Sequence, residues 1–306
     1  GGLLLVGGGG HAMVVAEGEE PRYLLDAGPP ILYAPSSTLL MNLRKRPAAE
    51  AKGNDVPVLT VGDPSYAGPA AELVASRNGS NLARVSEMHR YRSFGGKLSR
   101  LPFSAWETAW VKQVFEKSGL EAEQLLRDQA TEAQVRRQME GKRVIHLACH
   151  GLVDSSHGNS FGALAFSPGR AGDPADDGFL SLAELYRLNL KSCELAILSA
   201  CDTNYGPLQR GEGTWSVSRG FLVAGARRVI ASNWLVDDEA AASLISVLCS
   251  SIAKKEEAAT GGSLDEAARG AIDYAEALHA AKRWVRQQEK WSSPYYWGTF
   301  VLVGPQ

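Results

Sequence analysis

The sequence predicts an α/β fold in which a mostly parallel sheet is covered by helices on both faces. From residue 142 onward, short apolar runs typical of buried strands alternate with longer segments that have helical periodicity. The chain of 306 residues is 44% hydrophobic and 22% charged, which is typical of a globular protein that can bury its own core. Disordered, collagen-like and disulfide-stapled proteins are therefore excluded as the main interpretation.

The elements predicted before residue 142 are short and are separated by polar segments. Residues 67–96 are rich in Gly, Ser, Asn and Arg and are interpreted as a long excursion. The predicted strands lie at residues 31–34, 57–61 and 125–126. The predicted helices follow the caps Ser36 or Ser37, Ser104 and Thr131, and the last two helices run to about residues 117 and 139.

The alternation of strands and helices is regular in the rest of the chain. Strands are predicted at residues 144–149, 161–166, 194–200, 228–232 and 299–303. Helices are predicted at residues 181–188, 214–224, 237–253 and 264–288. This order indicates parallel strands joined by helical crossovers.

Charge and composition argue against several classes of function. The 32 Lys and Arg residues against 34 Asp and Glu residues give a net charge of −2, whereas nucleic-acid-binding proteins usually carry a basic excess. No apolar run approaches the ~18 residues of a membrane span, and no secretory leader pattern is seen. The four cysteines lack C-x-x-C spacing, which favours free thiols in a reducing compartment. We expect a cytoplasmic protein with no cofactor and no direct nucleic-acid or membrane partner.

Two apolar runs end in side chains that can carry chemistry. The run VIHLACHG at residues 144–151 leads to His150, and LAILSACD at residues 195–202 leads to Cys201. In a parallel α/β sheet, the loops that follow the strands meet in a crevice at the carboxyl edge. We therefore expect His150 and Cys201 to lie close together.

A His and a Cys in this position are suited to nucleophilic catalysis. A thiol with a pKa near its ordinary value of about 8.5 is mostly protonated at neutral pH, and an adjacent imidazole can accept that proton and return it to a leaving amine. The backbone N–H groups of Gly151 and Cys201 are expected to form an oxyanion hole. Alone, a His at a strand end or a Cys in an apolar run is more often structural.

The remaining His and Cys residues are weaker candidates. Successive side chains of a strand face opposite ways, so Cys149 is expected to point away from His150. His146 is expected to be structural because it lies deeper in the strand. Cys193 and Cys249 are interpreted as core or surface thiols, His157 as a loop residue that is exposed or near substrate, and no set of these residues has the spacing of a zinc site.

Longer motifs surround the two candidate residues. They are HLACHG at 146–151, DGFLSLAEL at 177–185, LAILSACDT at 195–203, GEGTWSVSRGFLVAGARRVIASNWLVDDEAA at 211–241 and SPYYWGTFVLVG at 293–304. With these motifs the chain resembles the CHAT family of caspase-like cysteine peptidases, which is related to separase. The match is strong after residue 141 and moderate before it. In caspases the His also lies ~50 residues before the Cys.

The resemblance implies a caspase-like α/β/α sandwich and catalysis by His150 and Cys201. It implies an inactive, pseudo-protease-like half at residues 1–128 beside an active half at residues 129–306. It also implies that an extended substrate pairs with Ser232, Asn233 and Trp234. Members of this family usually follow a sensor or helical-repeat segment that switches them on, so such a segment is an expected partner beside the protein substrate.

Acidic residues near the motifs suggest a specificity pocket. Caspases have Arg, Gln or Gly after the nucleophile, where this chain has Asp202, so specificity for Asp is not implied. Asp154 and Asp202, with Asp237 and Asp238, are candidates for binding a substrate Arg or Lys. They are equally suited to loop turns and to the cap of a helix that begins near residue 237.

Three functions follow from these features. The leading hypothesis is a regulated cysteine endopeptidase that cleaves a specific protein through a thioester on Cys201. The alternative is a catalytically silent, caspase-like module that binds a protein partner. A nucleotide-binding domain is the third, but the glycines at residues 7–10 do not form the G-x-G-x-x-G fingerprint between a strand and a helix.

Overall fold

The computed structural model describes residues 23–46, 57–66, 98–154, 159–160, 162–169, 176–209, 213–260 and 272–305. The strands are β1 Leu32–Tyr33, β2 Val58–Pro64, β3 Ala122–Arg127, β4 Val144–Ala148, β5 His150–Leu152, β6 Ala163–Ala165, β7 Phe179–Ser181, β8 Leu195–Ser199, β9 Leu208–Gln209, β10 Gly213–Thr214, β11 Val229–Ser232 and β12 Phe300–Val303. The helices are α1 Leu24–Ala27, α2 Ser37–Lys45, α3 Pro102–Lys117, α4 Glu132–Met139, α5 Leu182–Leu185, α6 Val217–Ala224, α7 Asp238–Thr260, α8 Tyr274–Arg286 and α9 Pro294–Trp297, with a 3₁₀ turn at Glu289–Trp291.

Seven of the strands form one sheet in the order β1-β12-β11-β8-β4-β2-β3. The five strands from β11 to β3 are mutually parallel, and β12 pairs with β11 in the antiparallel direction. A smaller antiparallel sheet, β5-β6-β7, begins where β4 ends. The predicted mostly parallel sheet is confirmed.

Helices cover both faces of the large sheet. Alternate strand residues point to opposite faces, so Val144 packs with α3, α7 and α8 while Ile145 packs with α2, α4 and α6. Each face has its own cluster of fully buried apolar side chains. This is the α/β/α arrangement predicted from the sequence, and it leaves the strand ends free to carry a site.

The predicted helix caps are confirmed at two positions and wrong at a third. Ser36 and Thr131 accept the backbone N–H groups of Leu39 and Gln134. Ser104 does not cap α3, because Pro102 begins that helix one turn earlier, where its missing N–H costs nothing. The buried Ser104 instead accepts the Asp63 N–H.

The amino-terminal strands extend the large sheet, and the expected division at residue 128 into an inactive half and an active half stays a prediction. The amino-terminal strands β2 and β3 pair directly with each other and with β4, so they belong to the same sheet as the rest. The expected long excursion at residues 67–96 lies outside the described residues, as does the start of the predicted 264–288 helix. Within the described ranges, no helix is both long enough and apolar enough to cross a membrane.

Candidate active site

The carboxyl ends of β4 and β8 place the two predicted residues at one edge of the sheet. The strands are adjacent and parallel, and Ala148 is in register with Ser199. His150 and Cys201 each follow the last residue of their strand by two positions. His150, the first residue of β5, and Cys201, in the turn after β8, therefore leave the large sheet side by side. The segment with His150 and Gly151 is called the His-Gly loop.

Direct backbone contact joins these two loops. A Cβ atom added to Gly151 would lie 2.0 Å from the carbonyl oxygen of Cys201 and 3.2 Å from its nitrogen. No side chain fits in that space, so position 151 requires glycine. The predicted association of the His-Gly loop with the Cys201 turn is present in the structure.

The Cys201 turn is anchored to the end of β11. Asp202 has a left-handed backbone with φ of 53° and donates its N–H to the Trp234 carbonyl at 3.4 Å. The Thr203 N–H donates to Ser232 Oγ at 3.2 Å, and the Asn204 N–H donates to the Ser232 carbonyl at 2.8 Å. These bonds hold the thiol at a fixed place above the sheet.

The Cys201 thiol is partly buried, and among the residues that the structure describes its sulfur bonds to a backbone N–H and to no base. Its Sγ accepts the Val236 N–H at 3.4 Å. Burial raises the pKa of Cys201 above its ordinary value; the Val236 hydrogen bond opposes that rise, and the nearby Asp202 and Asp238 carboxylates add to it. The thiol is therefore protonated at neutral pH.

The His150 ring is held by a backbone carbonyl and an aromatic ring. Nε2 lies 2.7 Å from the Ser99 carbonyl oxygen, which can only accept, so Nε2 carries the proton and Nδ1 has the free lone pair in the neutral ring. The Tyr66 ring lies 5.1 Å from the imidazole. Its hydroxyl accepts a hydrogen bond from the backbone N–H of His150 at 3.3 Å. Burial lowers the pKa of His150, and the Ser99 bond opposes this only in part, which leaves the ring neutral at pH 7.

His150 and Cys201 are close in the fold but are not bonded to each other. Among the described residues, the ring of His150 bonds to Ser99 and the sulfur of Cys201 bonds to Val236. Both groups are in the uncharged form, with a free lone pair on Nδ1. The two groups are therefore neighbours in the fold, each uncharged and each hydrogen-bonded to a different partner.

The three residues expected to pair with substrate have different surroundings. Ser232 is fully buried, and its hydroxyl donates to the Ala200 carbonyl, so its side chain is structural. The Asn233 side chain accepts a hydrogen bond from Asn204 at 2.8 Å. Trp234 is partly exposed, and its indole N–H donates to the Tyr295 carbonyl at 3.0 Å. A role for this segment in binding substrate stays a prediction.

The four acidic candidates lie in two kinds of place. Asp237 and Asp238, at the start of α7, accept backbone N–H groups, whereas Asp202 and Asp154 follow Cys201 and β5. Asp237 accepts the Ala240 N–H at 2.9 Å and caps the first turn of α7. Asp238 accepts the Phe103 N–H at 3.0 Å, and burial raises its pKa to about 6. Burial also raises the pKa of Asp202, which lies next to the thiol. Asp154 lies after β5, where its N–H donates to Asn159 Oδ1.

Several contacts of the site were not found by sequence reasoning. Tyr66, Ser99 and Val236 all touch the candidate pair, and of the three only Val236 lies in one of the motifs, the one at 211–241. Tyr66 follows the carboxyl end of β2, the strand beside β4, and that position was the one available signal. Val236 follows the predicted substrate residue Trp234 by two positions, whereas Ser99 lies in a segment with no such signal.

The other cysteines and histidines behave as structural residues where they are described. Burial raises the pKa of the three remaining thiols, Cys149, Cys193 and Cys249. His146 is fully buried between Thr60 and Glu107, as predicted. His157 lies outside the described residues. The described ranges contain no group of three His, Cys, Asp or Glu residues that could hold a metal ion.

Two of the solved structures that are similar to this chain are gingipain structures. Gingipain R, an Arg-specific cysteine proteinase, is matched with a TM-score of 0.49 at 9% identity over 87% of this chain and 51% of that one. The complex of the pro- and mature domains of Porphyromonas gingivalis RgpB is matched with a TM-score of 0.51, also at 9% identity, over 87% of this chain and 52% of that one. This chain thus spans about half the length of these proteins, and the second likeness shows a shared fold.

Comparison with protein families gives a match over nearly the whole chain. The search of curated proteins found no match. The family model described as the CHAT domain matches residues 11–305. The range includes the β4 and β8 strand ends with His150 and Cys201, and it confirms the resemblance inferred from the motifs. The chain therefore belongs to the CHAT domain family.

Proposed function

We propose that this chain is a regulated cysteine endopeptidase in which Cys201 is the nucleophile and His150 is the general base and acid. The observation that supports it most is the contact of the Gly151 backbone with the Cys201 backbone at the carboxyl edge of two adjacent parallel strands. It places the residue that follows His150 against the backbone of Cys201, so that a thiol, an imidazole and the backbone N–H of a glycine come from two segments in contact. These are the components needed for acyl transfer.

The reaction follows from the two neutral groups. Nδ1 of His150 takes the thiol proton while Sγ bonds to the carbonyl carbon of the substrate. The N–H groups of Gly151 and Cys201 bind the resulting oxyanion. The C–N bond then breaks as the imidazolium gives its proton to the amine, leaving a thioester. Water, deprotonated by His150, hydrolyses the thioester, releases the carboxylic acid and restores the thiol.

The substrate is proposed to be a protein segment bound in an extended conformation beside Asn233 and Trp234. Asp202 and Asp238 both raise the pKa of the Cys201 thiol, so negative charge lies near the proposed nucleophile. This charge favours an Arg or Lys side chain in the substrate next to the scissile bond. Asp154 is proposed as a further acidic contact on the other side of the His-Gly loop.

Control of the peptidase is proposed because the resting pair is poorly activated. Burial raises the pKa of Cys201 and lowers that of His150, and both shifts disfavour the thiolate–imidazolium form. A sensor or helical-repeat segment that moves the Val236 loop would free the thiol for His150. The isolated chain is therefore expected to be weakly active compared with its complex with that partner.

The test is cleavage of a diverse peptide library, with the cut sites determined by mass spectrometry. Cleavage should disappear in Cys201→Ala and His150→Ala and should persist in Cys193→Ala, which removes a buried thiol far from this site. Asp202→Asn should weaken any preference for Arg or Lys at the cut site. The control is Glu239→Gln, which removes another acidic side chain, on the first turn of α7, and should leave the preference unchanged. Cuts that survive in Cys201→Ala would contradict the proposal.

A catalytically silent protein-binding module is the second candidate. The hydrogen bond from Val236 to the Cys201 sulfur favours it, because the thiol is engaged away from His150. A peptide carrying a thiol-reactive electrophile separates the two. Labelling of Cys201 that depends on His150 supports the peptidase, whereas peptide binding without labelling supports the silent module.

A further inference from the structure

The segment that holds His150 is itself fixed by a buried carboxylate. Asp63 is the penultimate residue of β2 and is 1% exposed. Its carboxylate accepts hydrogen bonds from Nε and Nη2 of Arg100, at 2.9 Å and 2.7 Å. Such two-point binding fixes the orientation of the guanidinium as well as its distance. Arg127 contributes a further contact to the same carboxylate at 3.2 Å.

Arg100 follows Ser99 directly, and the two residues share the peptide group whose oxygen binds His150. That oxygen lies 2.7 Å from Nε2 of the imidazole. The peptide group is planar, so restraining Arg100 also restrains the direction of the Ser99 carbonyl. The carbonyl direction in turn decides which way Nδ1 points.

A second link ties the same segment to the same strand end. Ser104 accepts the Asp63 N–H at 2.8 Å and donates to the Leu101 carbonyl at 2.7 Å. Gly62 lets α3 approach this closely, since a Cβ there would lie 2.6 Å from the Ser104 carbonyl oxygen. Residues 99–101 are thus held from both sides of Arg100.

We propose that Asp63 and Arg100 are positioning residues that orient the His150 imidazole through the Ser99 carbonyl. They touch neither the thiol nor a substrate, and they act through the peptide group between residues 99 and 100. The inference rests on the proposed role of His150 as the general base. It adds an ion pair between a buried carboxylate and an exposed arginine, outside the His and Cys motifs, to the groups that shape the site.

The first measurement is the ring N–H signal of His150 in protein labelled with ¹⁵N-histidine. An N–H bound to a carbonyl is protected from exchange with water, and His150→Gln assigns its signal. The buried His146 serves as an internal reference because its ring is bound by Thr60 and Glu107. Arg100→Gln should speed exchange of the His150 signal by on the order of 10-fold or more, and leave His146 unchanged.

Arg127→Gln is the matched control. It removes a contact to the same Asp63 carboxylate but lies far from Ser99 in sequence. The Arg100 and Arg127 side chains are 60% and 49% exposed, so both variants are expected to fold. Arg100→Lys keeps the positive charge but not the planar guanidinium, so it should give an exchange rate between those of the parent protein and Arg100→Gln. It also serves as the test variant if Arg100→Gln does not fold.

Three results would overturn the proposal. They are an unprotected His150 signal in the parent protein, an unchanged signal in Arg100→Gln, and an equal loss in Arg127→Gln. The NMR readout does not require peptidase activity, so it is independent of the proposed function. Where the peptide library identifies a substrate, Arg100→Gln should lower kcat by about 10-fold to 100-fold with little change in KM.

Discussion

His146 and His150 lie four residues apart on consecutive strands, yet their surroundings differ in every respect that bears on chemistry. His146 is fully buried, with Nδ1 2.8 Å from the Thr60 hydroxyl and Nε2 2.7 Å from the Glu107 carboxylate. His150 stands at the rim of the sheet, and its ring is bound to protein through Nε2 alone within the described residues. One ring has both nitrogens engaged, and the other keeps Nδ1 open.

The difference shows how a fold assigns opposite roles to the same side chain. A ring with both nitrogens engaged inside the core ties strand β4 to α3 and β2, and it has no lone pair to offer a ligand. A ring that is bonded through one nitrogen keeps its orientation, and its other nitrogen can still accept a proton. The number of hydrogen bonds, together with access to the crevice, distinguishes the structural histidine from the candidate catalytic one.

The largest expected effect is on cleavage when His150 is replaced. Loss of a general base lowers the rate by about 10²-fold to 10⁴-fold, so His150→Gln should abolish measurable cleavage of a peptide from the library. Its urea unfolding midpoint should stay close to that of the parent protein. A large fall in stability with activity retained would reverse the roles assigned to the two histidines.

Next in size is the loss of the buried partner of His146. Glu107→Ala leaves an imidazole N–H without an acceptor in the core and opens a cavity, which should lower the free energy of unfolding by roughly 2 to 4 kcal/mol. Urea denaturation measures it. The control is Glu116→Ala on the same helix, where the partly exposed pair with Lys112 should contribute less than about 1 kcal/mol. Equal effects at both positions would remove the special role of the buried network.

A smaller effect on the free energy of unfolding is expected at Tyr66. This residue contacts His150, and no contact with His146 is seen in the described part of the chain. Tyr66→Phe keeps the aromatic surface and removes the hydroxyl. That hydroxyl accepts the backbone N–H of His150 and donates to the Ala165 carbonyl at 3.4 Å. The loss should be about 1 kcal/mol in unfolding free energy. The His146 ring N–H signal should not move in this variant, and a change there would show that the two environments are coupled.

The smallest effect is on the pH dependence of stability. Burial lowers the folded-state pKa of His150 below its ordinary value of 6.5, so the unfolded chain binds more protons below that pH. The contribution of His150 is therefore fully present above pH 6.5 and is lost as the pH falls toward the lower folded pKa. His150→Gln should show a shallower loss of stability between pH 7 and pH 5 in urea titrations. An identical slope in both proteins would contradict a buried, neutral His150.

The candidate pair could be predicted because its signals are local. Each of His150 and Cys201 follows an apolar run of strand type, and a glycine follows the His. The burial of His146 could be predicted in the same way from its place inside that run. The start of α3 could not, because the effect of Pro102 competed with the capping preference of Ser104. The pairing of β2 with β4 could not be predicted either, since it joins residues that are far apart in sequence.

Periodicity and motif order thus determined the α/β class, the strands that carry His150 and Cys201, and the glycine between their loops. Only the tertiary structure decided which groups surround the two residues. The Ser99 carbonyl, the Asp63–Arg100 pair and the Val236 N–H reach the site from distant segments of the chain. The physical reason is that hydrophobic patterning reports which face of an element is buried, whereas hydrogen bonds between loops depend on geometry that forms only when the sheet is assembled.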